Sequence, residues 1–252
     1  KLAEFADRSG NIRTIVNCSA YTAVDDAEAN TELAFAINAD GVGNIARLAK
    51  QIGARLIHIS TDYVFPGNID RPLTEDDACA PATVYGQSKL KGEELAQAEC
   101  AELIIIRTAW LYGLHGKNFV FTMLRLMKER KELQVVNDQY GSPTNAKELA
   151  SAIITIVKSE TFIPGIYHYS GTGRTSWYHF AEEIYKLGCG LGLLTTECRI
   201  SPIGTDKYMT KAKRPEYSLL STEKIERIYD IVPRVWKESL EEFLTTVKVR
   251  GR

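Results

Sequence analysis

From Asn11 onward the chain alternates short, β-branched apolar runs with longer amphipathic ones, and this alternation constrains its fold more than any other feature. The short runs cover 12–17, 55–60, 102–108, 133–136 and 166–170. Their brevity and β-branched content favour strands. The longer pieces, 26–51, 84–99, 118–130, 145–159 and 177–187, read as helices. In the first of them Leu33, Ile37, Ile45 and Leu48 fall on one apolar stripe. Strands that are apolar on both faces, separated by helices, predict a doubly wound α/β fold with a parallel sheet. Such sheets bind ligands beyond the carboxyl ends of their strands. Three loops fall at such ends: 18–22, 60–65 and 108–113.

Lys plus Arg number 31 and Asp plus Glu 32, a net charge of -1 that gives no electrostatic grip on nucleic acid or an anionic membrane. No apolar run approaches the roughly 20 residues that span a bilayer, and no signal peptide opens the chain. Cys18, Cys79, Cys100, Cys189 and Cys198 form no CxxC pair, so a reduced, cytoplasmic setting is expected. His58, His115, His168 and His179 lack metal-ligand spacing, so they read as satisfied or solvated side chains and no metal is assigned.

No glycine-rich turn follows a strand, although nucleotide-binding sheets of this type carry one after the first strand. Gly188-Cys189-Gly190-Leu191-Gly192 follows a helix and reads as its C-terminal cap. The chain opens on Lys1 rather than methionine, and Lys1–Asp7 reads as the tail of a helix already under way. The expectation is a Rossmann-like sheet missing its first βαβ part, preceded in the intact protein by about 40–60 further residues. Without that segment the chain is expected to be inactive.

Tyr85-Gly86-Gln87-Ser88-Lys89 places a phenol and an ammonium on one helix face. A phenol of pKa about 10 is a poor proton-transfer group at neutral pH. A cation ~6 Å away would favour its ionised form by roughly 3 kcal/mol. Thr61 ends an apolar strand, where its hydroxyl can reach both the phenol and a substrate oxygen.

The segments 16–25, 60–67, 85–89 with Gly92-Glu93, 107–113, Asn118-Phe119, 138–144 and Arg214-Pro215 occur in the order found in one family. Over about 2–246 the chain resembles the dTDP-4-dehydrorhamnose reductases, which are extended short-chain dehydrogenases/reductases. The resemblance implies Tyr85 as proton donor to a C4 carbonyl oxygen. It implies Lys89 as the holder of the nicotinamide ribose and Thr61 as a hydrogen-bond partner of the reacting oxygen. Ala20, Tyr21, Thr22 and Ile59 match positions beside the cofactor, NADPH or NADH. Asp62 and Trp110 match positions that contact a dTDP-sugar. Trp110 and Tyr63 also have structural readings, the first as core packing at a strand end and the second as stacking on its own loop.

The same resemblance divides the chain into a dinucleotide-binding domain, 1–113 and 143–165, and a smaller mixed substrate-binding lobe, 114–142 and 166–252. A homodimer with no nucleic-acid or membrane partner is expected. Two rivals share the framework. One is an epimerase or dehydratase of nucleotide sugars; the other is a non-catalytic subunit resembling the regulatory subunit of methionine adenosyltransferase.

Overall fold

The computed structural model describes residues 10–251, so the helix tail expected at Lys1–Asp7 lies outside the described residues. Strand β1 (Thr14–Asn17) leads through a short helix, α1 (Val24–Ala27), to α2 (Thr31–Phe35). The π-helical turn Ala36–Asp40 joins α2 to α3 (Gly41–Gln51). Strand β2 (Arg55–Thr61) ends in the 3-10 turn Asp62–Val64, and α4 (Val84–Glu99) returns to β3 (Leu103–Thr108). Then follow β4 (Leu111–Tyr112), α5 (Phe119–Glu129), β5 (Glu132–Val136), β6 (Tyr140–Gly141), β7 (Thr144–Asn145) and α6 (Ala146–Lys158). The described chain closes with β8 (Gly165–His168), β9 (Thr175–Ser176), α7 (Trp177–Gly190), β10 (Arg199–Ile203), α8 (Glu223–Tyr229) and α9 (Trp236–Val249).

The principal sheet has the order β1-β2-β3-β8 with every neighbouring pair parallel. The central strands β2 and β3 are buried on both faces, which is why they read as unbroken apolar runs, while Val16 of the edge strand β1 is exposed. Leu56 and Ile105 point toward Val42, Ala46 and Ala49 of α3 and Ala96 of α4. Ile57, Ile104 and Ile106 point the other way, toward Leu149, Ile153 and Ile156 of α6 and Ile225 of α8. Each side chain of this size contributes about 1.5–3 kcal/mol on burial, so the three-layer arrangement follows directly from the strand composition.

A second core holds the other lobe. Val120, Leu124 and Met127 of α5, Phe180 and Ile184 of α7, and Leu240, Phe243 and Leu244 of α9 pack together there. Beside them β5 pairs in parallel with β10. The expected lobe boundary between 165 and 166 falls inside β8, which pairs with β3 through Ile104–Arg107. Ile225 and Tyr229 of α8 also pack on the principal sheet rather than on the second lobe. The chain therefore crosses between lobes more often than expected, because β8 extends the apolar sheet while β9 and α7 turn away from it.

The expected helix over 26–51 is interrupted twice, between α1 and α2 and at the π turn. Within that turn, a Cβ on Gly92 would lie 2.0 Å from the Asn38 carbonyl oxygen. Glycine is what lets α4 press against the widened turn. Gly188–Gly192 does form the end of α7, with Gly192 at φ +70. Among the described residues no helix is long and apolar enough to cross a membrane.

Candidate active site

The three expected loops meet at one end of the principal sheet, since Thr61 at the end of β2 pairs with Thr108 at the end of β3 and Asn17 of β1 pairs with His58 of β2. Helix α4 starts over this end. Thr83 caps it by accepting from Gly86 N at 3.0 Å, and Glu28 accepts from Val84 N at 2.9 Å. A Cβ on Gly86 would lie 2.2 Å from the Tyr63 carbonyl oxygen, so glycine here seats the first turn of α4 against the loop after β2. Farther along, Glu93 and Arg107 form an ion pair at 2.7 Å, both side chains buried, which ties α4 to β3.

Tyr85 and Lys89 project from α4 into this junction, and both are buried. The Tyr85 phenol lies beside the Thr61 side chain, whose hydroxyl favours the ionised phenol. Thr61 in turn donates its hydroxyl proton to Asp62 Oδ1 at 2.9 Å and accepts from Tyr63 N at 3.2 Å. Lys89 Nζ donates to the Ile59 carbonyl oxygen at 2.7 Å and lies 3.4 Å from His58 Nε2. The expected fall in the Tyr85 pKa under the Lys89 charge is not what this geometry produces. Burial is the dominant influence on the phenol and raises its pKa above the ordinary value, with the Thr61 hydroxyl opposing it and Asp62 adding to it. The ammonium, drawn to strand β2, is itself pushed down to about 8 by burial, against the opposing charges of Glu93 and Cys18.

The loop after β1 lies alongside. Asn38 of the π turn accepts from Tyr21 N at 2.7 Å and donates to Tyr21 O at 3.1 Å. It also donates to Ser88 Oγ at 3.0 Å, and Ser88 donates to the Tyr85 carbonyl at 2.9 Å. One buried amide thus holds the Ala20-Tyr21-Thr22 segment beside the helix that carries Tyr85 and Lys89. Neither Asn38 nor Ser88 stood out in the sequence as a site residue. His58 is satisfied in part by Asn17, whose Nδ2 lies 3.1 Å from its Nδ1.

On the side of the second lobe, Trp110 adopts φ 48, a left-handed conformation that costs roughly 1–3 kcal/mol for a bulky residue. Its surroundings enforce it. The ring stacks on Trp177 with centroids 3.5 Å apart, and Nε1 donates to Ser218 Oγ at 3.0 Å. A Cβ on Gly141 would lie 2.5 Å from Trp110 Cε2. Tyr63 packs edge-on against Tyr85, and its hydroxyl accepts from Arg214 at 3.0 Å. Arg214 also pairs with Asp25 at 2.5 Å. A cavity of about 250 Å³ opens here, lined by Tyr63, Phe119, Gln139, Trp177, Tyr208 and Arg214. A larger hollow of about 400 Å³ beneath Leu111 and Phe243 contains none of the catalytic candidates.

A profile of the RmlD substrate binding domain matches residues 3–249. This chain belongs to that family. Among its relatives, the dTDP-4-dehydrorhamnose reductase of Escherichia coli is 43% identical over 93% of this chain and 81% of its own length. The crystal structure of a dTDP-4-dehydrorhamnose reductase from Clostridium acetobutylicum superposes with a TM-score of 0.90 at 39% identity, covering 98% of this chain and 85% of that one. A Bacillus anthracis dTDP-4-dehydrorhamnose reductase in complex with NADP gives 0.89 at 37% identity, covering 97% of this chain and 84% of that one. Within the RmlD substrate binding domain family frame, Tyr85, Lys89 and Thr61 are brought together as expected. Ile59 meets Lys89 through its carbonyl, and Tyr21, between Ala20 and Thr22 in the chain, is tied through Asn38 to Ser88, the residue before Lys89. Trp110 and Asp62 lie toward the aromatic cavity and are joined through Ser218, which bears on both.

The donor set suits the ribose end of a nicotinamide nucleotide. Lys89 is a buried ammonium with three protons, one of them directed to Ile59 O. A second lies within reach of His58 Nε2, and the third is available to a vicinal hydroxyl beside the pinned loop. Among the described residues no group of three or more His, Cys, Asp or Glu side chains is placed to hold a metal ion.

Proposed function

We propose that the protein reduces the 4-keto group of dTDP-4-dehydro-L-rhamnose to give dTDP-L-rhamnose, with NADPH or NADH as reductant and Tyr85 as proton donor. The observation that carries this reading is the convergence of Tyr85, Thr61 and Lys89 on one sheet end beside an aromatic cavity. The relatedness to dTDP-4-dehydrorhamnose reductases over nearly the whole chain supplies the substrate.

Lys89, with the Ala20–Thr22 loop and the Ile59 carbonyl, would hold the nicotinamide nucleotide. When bound, the reduced nicotinamide supplies a hydride to the carbonyl carbon. Tyr85 transfers its phenol proton to the oxygen, which becomes the hydroxyl of the product. Burial keeps that phenol protonated until the oxygen gains charge. Thr61 orients it. Asp62 and the Trp110–Trp177 stack line the path from this point toward the cavity, where the sugar and the base of a dTDP-sugar would lie.

The decisive measurement is oxidation of reduced nicotinamide by the full-length protein with dTDP-4-dehydro-L-rhamnose, beside Tyr85→Phe. Rapid oxidation lost in the variant supports the reading. An epimerase, a dehydratase or a binding subunit would consume no reduced cofactor. We further place the enzyme in the cytoplasm, in keeping with five free cysteines. A homodimer is the assembly proposed, since α6 presents Ile154 and Val157 to solvent. Light scattering of the purified protein tests it.

A further inference from the structure

We propose that Asp62 is the proton reservoir that recharges Tyr85 through the Thr61 hydroxyl, an inference that rests on the reductase reading above. The hydrogen bonds set the direction of the path. Thr61 gives its only hydroxyl proton to Asp62 Oδ1 at 2.9 Å, and its oxygen accepts from Tyr63 N. Turned toward Tyr85, that hydroxyl would donate to the ionised phenol, the interaction that opposes burial there. Thr61 thus stands between the phenol and the carboxyl, positioned to pass a proton from one to the other.

Asp62 is built to carry a proton. The residue is 4% exposed, and Oδ2 has no hydrogen-bond partner. Ser218, which bears on the carboxyl, directs its own proton to the Tyr140 carbonyl at 3.2 Å. The groups that face Asp62 are Thr61 and Tyr63 from its own turn, Tyr85 from α4, and Ser218 from the segment that follows Tyr217. All four are uncharged at neutral pH, so the carboxylate form lies buried without a cation against it. Burial accordingly pushes the Asp62 pKa up to about 7.

The transfer balances. Tyr85 loses its O–H bond as the substrate oxygen gains one. The phenolate then takes the Thr61 proton, and Thr61 takes the proton of Asp62 once rotation about Cβ–Cγ turns the protonated oxygen toward it. Asp62, now a carboxylate, is reprotonated from solvent before the next turnover. The net uptake is one proton per carbonyl reduced, as the reaction requires.

The test is the pH dependence of kcat, with substrate and reduced nicotinamide saturating, in the full-length wild type, Asp62→Asn, Asp62→Glu and Thr61→Val. Because the reservoir works only when protonated, wild-type kcat should fall as pH rises through about 7. Asp62→Asn should lower kcat at least tenfold at pH 6 and lose that limb. Asp62→Glu should recover the limb in part. Thr61→Val should lose it, and the double variant Asp62→Asn with Thr61→Val should be no slower than Thr61→Val alone. Thermal melts confirm folding, and if Asp62→Asn fails to fold, the other two variants give the same readouts. A variant without the carboxyl that keeps the wild-type limb and only raises KM would overturn the reservoir and leave the reductase reading standing. A wild type with no turnover would overturn the reductase reading and the reservoir with it.

Discussion

Lys89 of α4 donates to the carbonyl oxygen of Ile59 on β2 at 2.7 Å, and this bond, more than the helical spacing to Tyr85, decides what the lysine does. Its ammonium is fixed to the strand end, where the ribose of a nicotinamide nucleotide would lie. Lys89→Met should therefore raise the KM for reduced nicotinamide by about 10–100-fold, the loss of a charge-assisted hydrogen bond. Lys89→Arg should not restore it, because a planar guanidinium does not fit the space between His58 and Ile59. Initial rates against cofactor concentration check both.

Tyr85→Phe removes the proton that the substrate oxygen needs while keeping the ring that packs against Tyr63. Turnover should fall by about 10²–10⁴-fold with little change in substrate affinity. Steady-state kinetics beside direct binding measurements separate the two effects.

Glu93 and Arg107 are 1% and 3% exposed in their side chains, and the pair joins α4 to β3 beneath the site. Glu93→Gln would leave the guanidinium buried without its counter-charge. A loss of roughly 3–5 kcal/mol in unfolding free energy is expected, read from urea denaturation.

His168 is fully buried, and burial, aided by the nearby Arg107 charge, pushes its pKa down to about 3. The folded form is neutral where the unfolded chain, with an ordinary pKa near ~6.5, takes up a proton. Stability is therefore present above about pH 6.5 and lost as pH falls below it, on the order of 2 kcal/mol by pH 5. His168→Gln should show a shallower fall in melting temperature between pH 7 and pH 5 than the wild type.

Gly141 lies beneath the Trp110 ring, where a Cβ would come within 2.5 Å. Gly141→Ala should displace the ring from Trp177 and cost about 1–3 kcal/mol through overpacking. Its KM for the dTDP-sugar should rise while kcat changes less. A kcat that collapses with KM unchanged would contradict a role for the stack in binding.

Much of the architecture is legible in the amino-acid sequence. Apolar runs such as 55–60 and 102–108 are long enough to show that both sheet faces are covered, and each lies within a residue of its strand. Tyr85, Lys89 and Thr61 are legible because a helix start and a strand end place them independently. The two-residue strands β4, β6, β7 and β9 are not, since two residues have no period. Asn38 reaches Ser88 across 50 residues and Trp110 reaches Ser218 across 108, contacts that no local pattern announces. The electrostatic expectation for Tyr85 fails for a related reason. Spacing tells which side chains share a helix face, whereas desolvation depends on everything packed over that face.

The π turn at Ala36–Asp40 has a consequence for how this protein tolerates changes in length. A π turn adds a residue without adding a turn, so the helix before it and the helix after it are out of phase. Deleting one residue there would give a smoother helix and yet rotate Asn38 away from Tyr21 and Ser88. At this point the more regular backbone would be the less capable enzyme, and the irregularity is what fastens the loop after β1 to the helix bearing Tyr85.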